Sequence, residues 1–114
     1  MEITHHFQAA HLHSITRRLF MAVGAPRHIA DTVAEILVNS NLVGHDSHGV
    51  LHIPRYLDDI SENRLDPAAE PKVVKETSNT LCFDGNQSFG HYVARKAMDQ
   101  AIEKAKQADV CCVS

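Results

Sequence analysis

At 114 residues the chain has room for one ordinary domain, or for part of a larger one. Its 44% hydrophobic and 22% charged residues lie close to globular averages and exclude wholesale disorder. A formal charge of -3 and a pI near 6.3 give no basic footprint for nucleic acid, and no apolar run approaches the ~20 residues that span a bilayer.

The opening Met1-Glu2-Ile3-Thr4-His5-His6 lacks the basic-then-apolar pattern of a signal peptide, so a cytoplasmic setting is the default expectation. Residues 7 to 23 read as an amphipathic helix, with Leu12, Ile15, Leu19 and Val23 at helical spacing and Gly24 as its stop. Pro26 suits the first position of a second helix. That helix is marked by Ile29, Val33, Ile36 and Leu37 and ends near Gly44. Ser47 is placed to cap a third helix, whose stripe is Val50, Ile53, Leu57 and Ile60. Pro54 inside that pattern either kinks the helix or forces an irregular first turn, with the regular helix starting there.

The character changes at the Pro-rich connector "DPAAEP", residues 66 to 71. Lys72 to Glu76 and Thr80 to Asp84 are short β-type runs separated by Thr77-Ser78-Asn79, a hairpin pattern. An Ala-rich helix over 90 to 107 follows, with Val93, Ala97, Ala101 and Ala105 on one face and Met98 and Ile102 beside it, and "VCCV" is a final strand. The fold expected is α+β: a three-helix segment over 1–66 that carries the Ser-His-Gly motif, then over 67–114 the start of an α/β domain with a hairpin, long helix and strand of an incomplete mixed sheet. Because the apolar strand runs straight to Ser114, the chain reads as the front, truncated part of a longer protein. The three cysteines, Cys82, Cys111 and Cys112, describe no disulfide framework and read as small buried residues in strands.

Between the second and third helices, His45, His48 and His52 fall within eight positions. On one continuous helix they would share a face and could hold a metal, but Gly44 and Ser47 put His45 in a loop and no known short zinc motif matches. No metal is therefore assigned. Gly85 and Gly90 have the spacing of a phosphate loop, yet His91-Tyr92 follow where Lys and Ser or Thr are needed, so they read as a turn and a helix start. His48 is the candidate for acid-base work, because imidazole titrates near neutrality. Asp46 and Ser47 are neighbours that could fix its tautomer, and Gly49 leaves space beside the ring. From chemistry alone, a solvated or merely capping His48 is an equal alternative. His5, His6, His11, His13 and His28 read as surface residues.

"NLVGHDSHGVLHIPRYL", preceded by "ADTVAEILVNS", resembles the malate/L-lactate dehydrogenase-like family, which includes sulfolactate, ureidoglycolate and diketogulonate oxidoreductases and is unrelated to the Rossmann-type lactate dehydrogenases. "LCFDGNQSFGHYVARKAMDQAIEKAKQADVCCVS" is similar to the same family, so the likeness spans essentially the whole chain. "GHDSHG" and the opening "LHS" helix point to its hydroxycarboxylate dehydrogenase subgroup. The resemblance implies NAD- or NADP-dependent interconversion of 2-hydroxy and 2-oxo acids by a homodimer. It places His48 beside both nicotinamide and substrate as the acid/base, with Ser47 orienting the site. Most residues that grip the cofactor would lie outside this chain, so the polypeptide by itself is expected to be inactive. Where many relatives carry an Arg suited to clamping a carboxylate, this chain has His52. The competing reading is a non-catalytic helical interaction or dimerisation module.

Overall fold

The structure is a computed structural model and describes residues 4–114. Three helices come first: α1 (Ala9–Ala22), α2 (Arg27–Leu42) and α3 (Ile53–Ser61). They are followed by β1 (Lys72–Glu76), β2 (Thr80–Asp84), α4 (Gly90–Ala108) and β3 (Cys112–Val113). The three strands form one mixed sheet in the order β1-β2-β3, with β1 antiparallel and β3 parallel to β2. The fold class is α+β. Gly24 and Gly44 stop α1 and α2 in the left-handed region, at φ +104° and +84°, where a side chain would be strained.

The sequence pattern misplaces the buried face of α1. Ile15, Leu19 and Val23 of the predicted stripe are each more than a third exposed, whereas Thr16 and Phe20 are fully buried. The face is rotated by about one position because it follows the largest ring rather than the aliphatic count. Phe20 meets Phe89 edge-on at 5.1 Å and Tyr56 at 6.2 Å. Thr16 is accommodated because its hydroxyl donates to the Leu12 carbonyl at 2.8 Å.

Helix α2 is the central element, with Ile29, Ala30, Val33, Ala34, Leu37 and Val38 all buried. Pro26 is its N-cap rather than its first helical residue, a shift of one position. The Val50, Ile53, Leu57 and Ile60 stripe packs against the core as expected, together with Tyr56. The predicted hairpin matches β1 and β2, and Ala97 and Ala101 are buried on α4 while Met98 and Ile102 are exposed. The cysteines differ from expectation. Cys112 is exposed, Cys82 and Cys111 are half-buried, and Cys111 precedes the two-residue strand β3, which lies at the sheet edge.

Glu70, in the connector, ties the helical layer to α4. The His28 Nε2 lies 2.7 Å from its Oε1, the Tyr92 hydroxyl donates to both carboxylate oxygens at 3.1 and 2.8 Å, and the Lys96 ammonium is 3.5 Å away. The hydrogen bond to His28, ahead of those from Tyr92 and the Lys96 charge, holds the Glu70 carboxyl below its ordinary range. Burial, followed by the Glu70 carboxylate, pushes the Tyr92 phenol up. A carboxylate with a lowered folded pKa stabilises above its unfolded value, and that stabilisation is lost as pH falls through the folded value. Glu70→Gln is therefore expected to flatten the decline of the melting temperature below the ordinary value of 4.5, measured by thermal melts across that range. A variant curve parallel to the parent's would remove this role.

Candidate functional site

The histidine segment is not one helix. After α2 ends, Asp46–His48 and Val50–His52 form two single 3₁₀ turns, and regular helix begins only at Ile53, with Pro54 in its first turn. Of the two effects expected of Pro54, the irregular first turn is the one observed. Ser47 does not cap α3, because it sits within the earlier turn and makes no capping bond. The break falls at Gly49, which is buried and whose backbone is extended, at φ -96° and ψ -151°.

This break arranges the rings as a row rather than a cluster. His45 to His48 and His48 to His52 are 6.2 and 6.5 Å apart between centroids. The row continues through Tyr56 at 6.3 Å to His91 on α4, a further 5.9 Å on. Among the described residues no three His, Cys, Asp or Glu side chains are grouped to hold a metal ion. The other histidines lie at the surface as expected, with His5, His6, His11 and His28 exposed and His13 half-buried.

His48 is exposed, and its Nδ1 is 3.0 Å from the Ser47 hydroxyl. Either the hydroxyl oxygen accepts Nδ1–H, which leaves the lone pair of a neutral ring on Nε2, or the hydroxyl donates to Nδ1 in the other tautomer. His52 is fixed in the other sense. Its Nε2 is 2.6 Å from the Ser47 carbonyl oxygen, which can only accept, so Nε2 carries the hydrogen. The remaining Nδ1 of neutral His52 is an acceptor, unsuited to holding a carboxylate. Arg55 is exposed on α3 and leans towards Asp59, 3.9 Å away.

Two expectations for this loop need correction. Asp46 does not reach the His48 ring, because its Oδ1 accepts from Asn41 Nδ2 at 2.7 Å. The space at Gly49 is not left open for a ligand either: a Cβ built there would run into the Asn41 carboxamide.

Tyr56 and His91 are the members of the row that sequence reasoning missed. The Tyr56 hydroxyl is 3.2 Å from His91 Nδ1, joining α3 to α4. Burial, ahead of the neighbouring His52 and His48, depresses the His91 imidazole, and burial raises the Tyr56 phenol. Tyr56 follows His48 by eight positions and His52 by four, a spacing that signals a shared helical face once the His are taken as functional. Nothing local signals His91, which lies 35 residues from its partner.

Comparison with known proteins places the whole chain beside one family of dehydrogenases. A family profile described as malate/L-lactate dehydrogenase matches residues 7–114. Hydroxycarboxylate dehydrogenase B of Escherichia coli is 39% identical over 114 residues, covering all of this chain and 32% of that protein. The L-sulfolactate dehydrogenase of Methanothermobacter thermautotrophicus is 33% identical over 96 residues, or 84% of this chain and 28% of its own length. The crystal structure of malate dehydrogenase from Entamoeba histolytica superposes with a TM-score of 0.88 at 32% identity, over 92% of this chain and 29% of that one. The chain thus spans about a third of the length of the curated relatives it matches.

Proposed function

Because the chain belongs to the malate/L-lactate dehydrogenase family, we propose that it forms the acid-base portion of an NAD- or NADP-dependent oxidoreductase that interconverts 2-hydroxy acids and 2-oxo acids. The observation that carries this reading is the exposed His48 ring, 3.0 Å from the Ser47 hydroxyl through Nδ1 and without a hydrogen-bond partner at Nε2 among the described residues. Its setting suits a group that works beside a nicotinamide, which supplies hydride to a carbonyl carbon or accepts it from a carbinol carbon. In reduction, the His48 imidazolium gives its Nε2 proton to the carbonyl oxygen. In oxidation, the neutral ring takes the hydroxyl proton at Nε2 while Ser47 goes on accepting from Nδ1–H. Both directions use the same ring orientation, so a single hydrogen bond from Nδ1–H to the neighbouring Ser47 serves the whole cycle.

With its Nε2–H engaged by the Ser47 carbonyl, His52 lacks the paired donors of an Arg, so the substrate carboxylate is held elsewhere. Substrate choice within the hydroxy-acid class then departs from relatives that carry Arg at that position. Three free thiols fit a reducing, cytoplasmic setting, and no helix among the described residues is long and apolar enough to cross a membrane.

The test is a chimera. Residues 4–114 replace the matching third of the Escherichia coli hydroxycarboxylate dehydrogenase B, and NADH and NADPH oxidation are followed with a panel of 2-oxo acids. The chimera is expected to turn over and its His48→Gln form to fail, while the 114-residue chain by itself stays far below a typical ~10 per second. A chimera indifferent to His48 would overturn the reading.

A homodimer is proposed on the outer face of α1, where Ile15, Leu19, Met21 and Val23 are 38 to 42% exposed around Arg18. Leu19→Asp is expected to shift sedimentation towards the 12.6 kDa monomer. A parent chain that is already monomeric at every concentration would remove the proposal.

A further inference from the structure

We infer that Asn41 is a positioning residue for His48, which it serves by fastening both ends of the loop that carries the imidazole. Its importance for chemistry rests on the acid-base reading above, whereas its action on the loop does not. Asn41 lies in the last turn of α2, the helix with the most buried residues in the fold, and it is half-buried itself. From that anchor its Nδ2 donates to Asp46 Oδ1 at 2.7 Å, at the start of the first 3₁₀ turn. Its Oδ1 accepts from the Val50 backbone N–H at 3.0 Å, at the start of the second. Ser47, His48 and Gly49 are the residues spanned between these two bonds.

The chemistry of the two ends selects asparagine. One partner is a carboxylate, which can only accept, and the other is a backbone N–H, which can only donate. A carboxamide satisfies both without adding charge. A carboxylate in its place would face Asp46 with two like charges, and an aliphatic side chain would leave the half-buried Val50 N–H without its partner. Gly49 belongs to the same device. Its backbone is extended, which any residue can adopt, so the glycine is needed for space, and the space is filled by the Asn41 carboxamide.

His48 depends on this fastening because its ring has little else to lean on. The ring is exposed, its side-chain hydrogen-bond partner among the described residues is Ser47, and the nearest aromatic rings, two imidazoles, are more than 6 Å away between centroids. The backbone bonds within the loop, His48 N–H to the His45 carbonyl at 2.9 Å and Gly49 N–H to the Asp46 carbonyl at 3.1 Å, shape the first turn but do not tie it to the core. The His45 N–H bond to the Ser40 carbonyl secures only the upstream end. The His52 Nε2–H bond to the Ser47 carbonyl at 2.6 Å closes the loop on its own second turn, and Asn41 supplies the side-chain tie from α2 that reaches past His48 to Val50.

The test uses the 114-residue chain with 15N-labelled histidine and compares the parent with Asn41→Leu, Asn41→Asp and the exchange Asn41→Asp with Asp46→Asn. The exchange keeps the total charge and re-forms both bonds with one reversed, since the new amide at 46 donates and the new carboxylate at 41 accepts from it and from Val50. In the parent, the two His48 ring nitrogens are expected at well-separated positions, with Nδ1 protonated. In Asn41→Leu and Asn41→Asp they should move towards a common averaged position, and the Val50 amide should lose its protection from hydrogen exchange. The exchange variant should restore both signals. If His48 signals stay in place in the two single variants while only the melting temperature falls, Asn41 is merely structural and the inference is wrong. It is equally wrong if the exchange variant folds without restoring them. Should Asn41→Leu fail to fold, Asn41→Asp and the exchange variant still decide. These signals report loop geometry alone, so they fail or succeed separately from turnover in the chimera.

Discussion

Phe20→Ala is expected to destabilise the chain by about 3–5 kcal/mol, the range for removing a large buried ring and leaving the cavity. Phe20 has no exposed surface, and its ring meets those of Phe89 and Tyr56 edge-on, so the surrounding side chains have few ways to collapse inward. A small domain has about 5–15 kcal/mol of stability in all, so the loss is a large share of the total. The melting temperature should fall by more than about 10 °C. Leu19→Ala, one position earlier, should cost under about 1 kcal/mol when melted at concentrations where the chain is monomeric, because that side chain is 40% exposed. The two melts side by side decide which face of α1 is core. Equal losses, or a larger loss at Leu19, would contradict the burial described above. The Tyr56 ring rests on Phe20, and its hydroxyl reaches His91, so loosening the cluster should also disorder the far end of the ring row.

This pair of residues also shows what the sequence could and could not reveal. The existence of all four helices and of the hairpin was legible, because periodicities of 3.6 and 2 and turn residues such as Gly24, Gly44 and Thr77-Ser78-Asn79 are local signals. The phase of α1 was not. Its apolar count favours the side of Ile15 and Leu19, and only tertiary contact with Phe89 and Tyr56, far along the chain, turns Phe20 inward. The same limit applied at the loop. His48 and Ser47 stood out by residue type, and their 3.0 Å contact is between chain neighbours. The role of Gly49 and the partner of Asp46 depended on the direction of one Asn41 side chain, which no spacing encodes. His91 entered the site only through a contact with Tyr56 across two elements.

In the chimera, His48→Gln is expected to lower kcat by roughly 10²- to 10⁴-fold, the range for losing a positioned general acid-base group. That corresponds to about 3–5 kcal/mol of transition-state stabilisation. Glutamine keeps the polarity and approximate reach of the side chain but cannot cycle between proton donor and acceptor near neutral pH. Because His48 is exposed and its one side-chain hydrogen-bond partner among the described residues is Ser47, the change should leave folding stability within about 0.5 kcal/mol, so lost turnover cannot be charged to unfolding. If the ring acts only in the proton-transfer step, kcat and kcat/KM should fall together with KM nearly unchanged. A rise in KM at constant kcat would make His48 a binding residue instead. Ser47→Ala provides the graded control. It removes one hydrogen bond that orients the ring, worth about 1 kcal/mol, so its loss should be roughly five- to tenfold, far smaller than that of His48→Gln. If Ser47→Ala proved as damaging as His48→Gln, the proton would pass through the serine hydroxyl itself, and the free Nε2 would not be the reacting atom.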